Sequence, residues 1–508
     1  MHTIEIPDGN RRRTQGAPQV GRDALAASND VHPLGHRRPN RERQVSGTVS
    51  YFTQRAERTQ SPHSLLDSAP AFALDRPMSD RSGIMETRRA WPSLDPALFV
   101  ASLAVYFAGT PLGLDRVAAA LRVAAALDST SQEPGTWLAT LVLRVGAYSP
   151  LGAGAARANL ATALLAALAT TLLGRLCVDL LAALRPPAHA RQGPRDFLYE
   201  PFLAAGAALA GGLSLAVFET ATSAGAASAT LALLAGTWLA ALPLLRAAGS
   251  AKHGFAVAGL SGLAAGVDPV AGPLLWPLTL GLWLWELRRG RRWPLWDPLL
   301  FVAALGGSVL ANLAASGNPA SVRHLLGSLW PAGTHDLVAL GGIAAELCDE
   351  LGVVGLLLAA VGTLSLLRRA PLVAFWFGFT LITALLLGHS PGQSGLHFEL
   401  TRAGLPAALM AAAVPMSAGA AAVASRLGRA RMVAAIVLAG LAVVSPVLDG
   451  GASRWRRDVH GPERLLEHAL LRAPLRASVD PGTAEMDGLL RYGAALGLRP
   501  DLEIARRH

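Results

Sequence analysis

Arginine recurs on alternate sides of a hydrophobic ladder along this 508-residue chain, and that alternation restricts it to one class of structure. Between positions 98 and 448 there are roughly eleven apolar stretches of about 15 to 25 residues, near the length a helix needs to cross a bilayer core. The pattern is that of an all-α, multi-pass integral membrane protein.

The linkers between the stretches fall into two sets. One carries Arg185, Arg191 and Arg195, then Arg246 and Lys252, then Arg288, Arg289, Arg291 and Arg292, then Arg368 and Arg369, then Arg426, Arg429 and Arg431. The other set, beginning near Asp115, Glu219, Asp268, Ser316 and His389, has few cations and holds most of the acidic residues and histidines. Cationic flanks resist translocation, so the Arg-rich set is expected inside, together with the Arg-rich start of the chain. An odd number of spans then puts the C-terminus outside. The expected location is a bacterial inner membrane.

Composition agrees. The chain is 52% hydrophobic with a mean hydropathy of +0.37, above what soluble domains show, and Ala, Leu and Gly supply most of the bulk. The net charge of +10 therefore reports topology. A nucleic-acid surface would cluster its cations on one folded face with interleaved aromatics, whereas these are spread over five short loops and a tail, so no nucleic-acid partner is expected. Lys252 is the only lysine, a bias of high-GC codon usage that carries no functional meaning. The two cysteines, Cys177 in the second span and Cys348 in an expected external loop, give no disulfide framework and no zinc site.

Residues 1–92 are polar, Arg-rich and without sustained apolar period, which predicts a disordered basic cytoplasmic tail. With no apolar signal-peptide core there, the first span, 96–113, is expected to act as the signal anchor. The segment 114–157 is the first external loop. Val117, Leu121, Val123 and Leu127, then Leu138, Leu141, Leu143 and Val145, predict amphipathic helices lying on the membrane surface. Further spans are expected at 159–184, 201–218, 228–245, 254–267, 271–287, 298–315, 351–367, 371–387, 405–424 and 432–448. The fifth and sixth are short, with Pro269 and Pro273 between or just inside them, which makes them the candidates for tilted or broken spans lining a cavity. The segment 449–508 is predicted as a small external element with helices near 463–471 and 489–504.

Charges in or beside the spans mark the candidate chemistry, because an unpaired charge in hydrocarbon is costly. Arg175 and Asp179 share a face four residues apart, as a buried relay or as an intrahelical ion pair. Asp115 directly follows the first span and is trailed by Arg116; it serves either as a general base toward a hydroxyl or as the N-cap of the next helix. Glu133-Pro134-Gly135-Thr136, after Gln132, is a turn opening a helix at Trp137, either an ordinary turn or a helix N-terminus facing a phosphate. Asp268-Pro269, His324, Asp336, His389 and His397 complete the polar inventory. None has metal-ligand spacing, and there is no phosphate-binding loop or dinucleotide fingerprint. No cofactor is implied, and a divalent metal is left open.

The order of these pieces resembles a family of bacterial multi-pass proteins that also contains the animal transmembrane protein O-mannosyltransferases. The family reads D-S-G-E, then H-P-P-G-x-P-L, then R-x-N-L. The chain offers Asp115, then Pro134-Gly135-Thr136, then Arg157-Ala158-Asn159-Leu160. The similarity continues in 218–231, in 262–269, in Gly317-Asn318-Pro319 with Arg323-His324-Leu325-Leu326, and in Arg491-Tyr492 followed by Gly497-Leu498-Arg499-Pro500-Asp501. It implies a GT-C-like fold and transfer of a sugar from a polyprenyl-phosphate carrier at the external membrane face, with membrane lipids around it and an unassigned protein or glycan acceptor. Carried over, Asp115 is the base. Arg116, Gln132, Glu133, Pro134, Gly135, Thr136 and Asp268 form the donor site. The chain departs from the family at Ala118, where a glutamate is usual, at Gln132 and Glu133 in place of a histidine, near Gly225 and Ala227, and at Asp268-Pro269 in place of His-Pro. Those departures keep open a catalytically silent relative that binds a lipid-linked glycan or scaffolds an envelope assembly. A transporter is a third reading, disfavoured by the absence of inverted repeats and the scarcity of intramembrane charge.

Overall fold

The structure is a computed structural model. It describes residues 93–111, 123, 137–147, 154–185, 198–225, 227–246, 249–267, 271–290, 296–316, 337–387 and 404–449, and in the C-terminal segment 466–467, 470, 478–479, 484–496, 498 and 503–504. The chain divides into two units, 1–77 and 78–508, and every described residue belongs to the second. The expectations for the tail 1–92 lie outside the described residues.

A helix occupies each of the eleven expected stretches. The elements in chain order are α1 (Leu94–Gly109), α2 (Trp137–Ala147), α3 (Gly154–Leu184), α4 (Tyr199–Gly212), α5 (Leu215–Thr222), α6 (Ala227–Leu245), α7 (Ala251–Val267), α8 (Ala271–Arg288), α9 (Trp296–Ser316), α10 (Leu337–Arg369), α11 (Pro371–Leu387), α12 (Gly404–Arg426), α13 (Arg431–Asp449) and α14 (Ala484–Ala495). One parallel pair of two-residue strands, Ser478–Val479 with Glu503–Ile504, flanks α14. By length and apolarity, four described helices can cross a membrane, at Ala155–Leu184, Ala227–Leu245, Leu347–Arg369 and Gly404–Arg426, and a fifth if the bent pair α4 and α5 counts as one span. Further apolar helices, including Leu94–Gly109 and Pro371–Leu386, are shorter.

The packing is that of a helical membrane protein. The centre is α12, whose sequence is mostly Ala, Gly and Pro; 404–420 are buried throughout. Small side chains let α3, α4, α10 and α11 all approach it. At the closest crossing, a Cβ added to Gly362 of α10 would overlap the Pro415 carbonyl, and one on Gly419 of α12 would overlap the Leu358 carbonyl. Large apolar side chains face outward instead. On α10, Val353, Leu357, Val361 and Leu364 form one exposed stripe, at 74%, 62%, 40% and 58% exposure. On α13, Val433, Ile436, Leu441 and Val444 form another, while Ala435 and Ala442 turn inward. Apolar faces this extensive suit hydrocarbon as the surrounding medium.

Several expectations need correction. The break falls in the third stretch, where α4 and α5 meet at 67° around Leu213 and Ser214; the fifth and sixth, α7 and α8, are each continuous, with Pro273 in the first turn of α8, where no intrahelical N–H is lost, and the helix running on through Pro277 in its interior. The eighth stretch, expected at 351–367, is helical from 353 to 369, and a further helical segment, 337–351, precedes it across a break at Gly352 (φ 64°, ψ 172°). Cys348 is therefore an exposed helical residue and not part of a loop. The final helix runs 484–495 rather than 489–504, since Glu503–Ile504 pairs as a strand.

Candidate functional site

Two ends of the bundle differ in chemistry. At one end the start of α1 and the C-terminus of α3 come together: Arg175 bridges Asp95 at 3.5 Å and Asp179 at 3.4 Å. The ion-pair reading of Arg175 and Asp179 therefore holds, with Asp95 as an added partner. Arg185 donates through Nη2 to Glu200 Oε2 at 2.6 Å and through Nε to Oε2 and Oε1 at 3.0 and 3.2 Å, a charge-assisted contact to both oxygens of a carboxylate that is 5% exposed. Arg246 donates to the Ala183 carbonyl at 3.4 Å and Arg369 to the Leu184 carbonyl at 3.5 Å, where cations complement the helix C-terminus. The Arg431 guanidinium lies 5.9 Å from the Tyr199 ring centroid. Arginines from three separate linkers thus converge on the last turn of α3, with Arg431 of a fourth on Tyr199 of the neighbouring α4, which makes this the Arg-rich end.

The opposite end holds the end of α1 and the start of α3, which in the sequence flank residues that the family resemblance singles out. Asp115, Arg116, Gln132, Glu133, Pro134, Gly135, Thr136 and Asp268 themselves lie outside the described residues, as does Arg122. Their flanks are described. After α1, the Thr110 hydroxyl donates back to the Tyr106 carbonyl at 2.7 Å, and Asn159 Nδ2 donates to the Pro111 carbonyl at 3.3 Å. Asn159 is buried in the first turns of α3 and so ties the chain four residues ahead of Asp115 to that helix. The Thr162 hydroxyl is shared between the carbonyls of Asn159 and Ala221, at 2.7 and 3.0 Å, which brings the end of α5 to the same place.

An apolar cluster completes this end. Val123 and Leu143 from the first long loop, Ala155 and Ala158 of α3, Ala224 after α5, and Leu466, Leu470, Leu489, Leu490 and Tyr492 of the C-terminal segment pack together. On α2, Leu143 points into the cluster, while Leu141 and Val145, expected with it on one apolar face, are exposed. Arg144 beside them is half-buried. A Cβ on Gly146 would sit 2.8 Å from Ala161 Cβ, which is how closely α2 lies on α3.

Between the two ends sits the broken helix. A Cβ on Gly212 would overlap the Thr170 side chain, and the Tyr106 hydroxyl donates to the Gly212 carbonyl while standing 3.1 Å from Thr170 Oγ1. Beyond the break, the N–H groups of Leu215 and Ala216 at the start of α5 donate to Glu350 Oε2 and Oε1 at 2.6 and 3.0 Å. A carboxylate satisfies two of the orphan donors and meets the positive end of the helix dipole. Glu350 comes two residues before the Gly352 bend of α10, so one interaction joins two interrupted helices. Sequence reading passed over Glu350. The available signal was the Gly211-Gly212-Leu213-Ser214 run inside an otherwise apolar stretch, with the carboxylates of Glu346, Asp349 and Glu350 next to a span.

The described residues hold no group of three or more His, Cys, Asp or Glu that could bind a metal. What the described residues bring to one place at this end is the end of α1, the start of α3, α2, the end of α5 and the C-terminal helix. No known family model matches the chain. No curated protein matches its sequence either.

Proposed function

We propose that this chain is a GT-C-like glycosyltransferase of a bacterial inner membrane. In this reading it crosses the membrane eleven times, with the Arg-rich end and N-terminus cytoplasmic and the C-terminal segment external. It moves a sugar from a polyprenyl-phosphate donor to an acceptor at the external face. What supports the reading is that three widely separated pieces of the resemblance meet at one end of the bundle: Asn159 bonds Pro111, Thr162 bonds Ala221, and Tyr492 packs in one cluster with Ala158.

In the reaction, Asp115 takes the proton of the acceptor hydroxyl as its oxygen bonds to the anomeric carbon, and the carbon–oxygen bond to the carrier phosphate breaks with its electron pair going to the phosphate. Arg116, with Arg122 and Arg144, offsets the charge gathering on that leaving group, and 132–136 borders the carrier. Asp268 completes the donor site. A positioned base contributes roughly 10²- to 10⁴-fold. Membranes holding equal amounts of wild type and Asp115→Asn should therefore differ in sugar transfer by at least about 10²-fold. Equal transfer by both rejects Asp115 as the base.

A second reading follows from the departures at Ala118, Gln132, Glu133 and Asp268: a relative that binds a lipid-linked glycan without turnover. Saturable donor binding with no transfer by wild-type protein would establish it in place of the first.

A further inference from the structure

A cleft of about 310 Å³ opens between α8 and α11 toward the Arg-rich end. One wall is Pro277, Gly281 and Trp285, at four-residue spacing on α8; the other is Phe375, Trp376 and Phe379 on α11, and Leu245 at the end of α6 closes it. The lining is apolar. A Cβ built on Gly281 meets nothing within 4 Å, so the space in front of that glycine is open. At about 30 Å³ for a water-sized group, the cleft holds a segment of roughly ten such groups, the size of part of one hydrocarbon chain.

An apolar cleft in a membrane protein gains little by exchanging one hydrocarbon neighbour for another, so apolar contact alone selects no particular lipid. The selecting element is charge at the end of the cleft. The Arg289 guanidinium lies 4.6 Å from the ring centroid of Trp285, a cleft-lining residue, and is held there by cation–π attraction. Its Nη1 is buried and makes no hydrogen bond among the described residues. Of the other cations at this end, Arg246 and Arg369 donate to the carbonyls of Ala183 and Leu184, and Arg288 of α8 is exposed. Glu286, one turn before Arg289, is buried but does not line the cleft.

We propose that this cleft is a binding site for one anionic phospholipid of the leaflet at the Arg-rich end, with an acyl chain between α8 and α11 and the phosphate on Arg289. Cationic pockets between membrane helices are suited to anionic head groups, each cation near the surface favouring them by about fivefold. The site is independent of any glycosyl-transfer chemistry at the other end.

Native mass spectrometry of the full chain, released from nanodiscs of equal phosphatidylglycerol and phosphatidylcholine, tests it. Wild-type protein should retain one phosphatidylglycerol in preference to phosphatidylcholine by about fivefold or more. Gly281→Leu, which fills the open space, should lose the retained lipid. Arg289→Gln, on a half-buried side chain, should keep an occupied cleft and lose the preference. Thermal unfolding of both variants establishes that they are folded, and Arg289→Gln alone decides the matter if Gly281→Leu is not. Equal retention of the two lipids by wild type, or an unchanged preference in Arg289→Gln, overturns the proposal.

Discussion

Glu200 is 5% exposed and its charge is tolerated because Arg185 meets it with a bidentate contact. Removing one partner of such a buried pair leaves an uncompensated charge, at about 3 to 5 kcal/mol, whereas replacing both with apolar groups of similar size is often neutral. Arg185 is partly accessible, with its side chain 21% exposed, which puts the expected loss at the lower end of that range. Arg185→Met should therefore lower the unfolding temperature in detergent strongly, and Arg185→Met with Glu200→Leu should recover most of the loss. A double variant as unstable as the single one would show that the pair stabilises this end through its charges. At this scale the sequence was partly legible. Arg175 and Asp179 announce themselves by spacing, but Asp95 joins them from 80 positions away, and Glu350 reaches Leu215 across 135. Partners that distant leave no local trace. Asn159 is the exception: the R-x-N-L resemblance singled it out, and the structure shows it bonding the Pro111 carbonyl just ahead of Asp115.

Helices are where hydropathy speaks most clearly. Starts and ends fell within a few residues for most stretches because 15 to 25 apolar residues bounded by arginine have few other solutions in a membrane. The broken third stretch escaped, since its apolar run continues through Leu213, Leu215 and Val217, and the break is held by Glu350, Tyr106 and Thr170 on other helices. Helix-to-helix distance is set by small residues, and here the sequence is informative once the partner is known. Gly362 and Gly419 let α10 and α12 meet backbone to backbone, so Gly362→Leu should abolish monodisperse elution in detergent or leave protein of sharply reduced stability. Gly378 of α11 has open space around it, and Gly378→Leu should elute and unfold like wild type. Equal behaviour of the two variants would contradict the proposed close crossing.

For the whole molecule, the alternating arginines divide the ends: Arg185, Arg246 and Arg369 gather at the C-terminus of α3 with Arg431 on the neighbouring Tyr199, while the C-terminal helix packs with α2 and the start of α3 at the other. Sidedness follows from the positive-inside rule and is open to test with a native reporter. Exposed Cys348 lies four residues before the break at Gly352, and the helix that follows it, about 25 Å long, ends at Arg368 and Arg369, whereas Cys177 is buried. A membrane-impermeant maleimide added to intact cells should label wild type and not Cys348→Ser; labelling only after the membrane is opened would invert the topology. The candidate site was less legible than the fold. The resemblance named residues in loops, where function concentrates and where hydropathy gives no geometry.

The most direct measurement is incubation of the purified, detergent-solubilised protein with a panel of radiolabelled polyprenyl-phosphate sugars, in parallel with Asp115→Asn, scoring sugar released or transferred. The account predicts turnover of at least one donor by wild type and its loss in the variant. Binding without release by both proteins, or equal turnover by both, would contradict it.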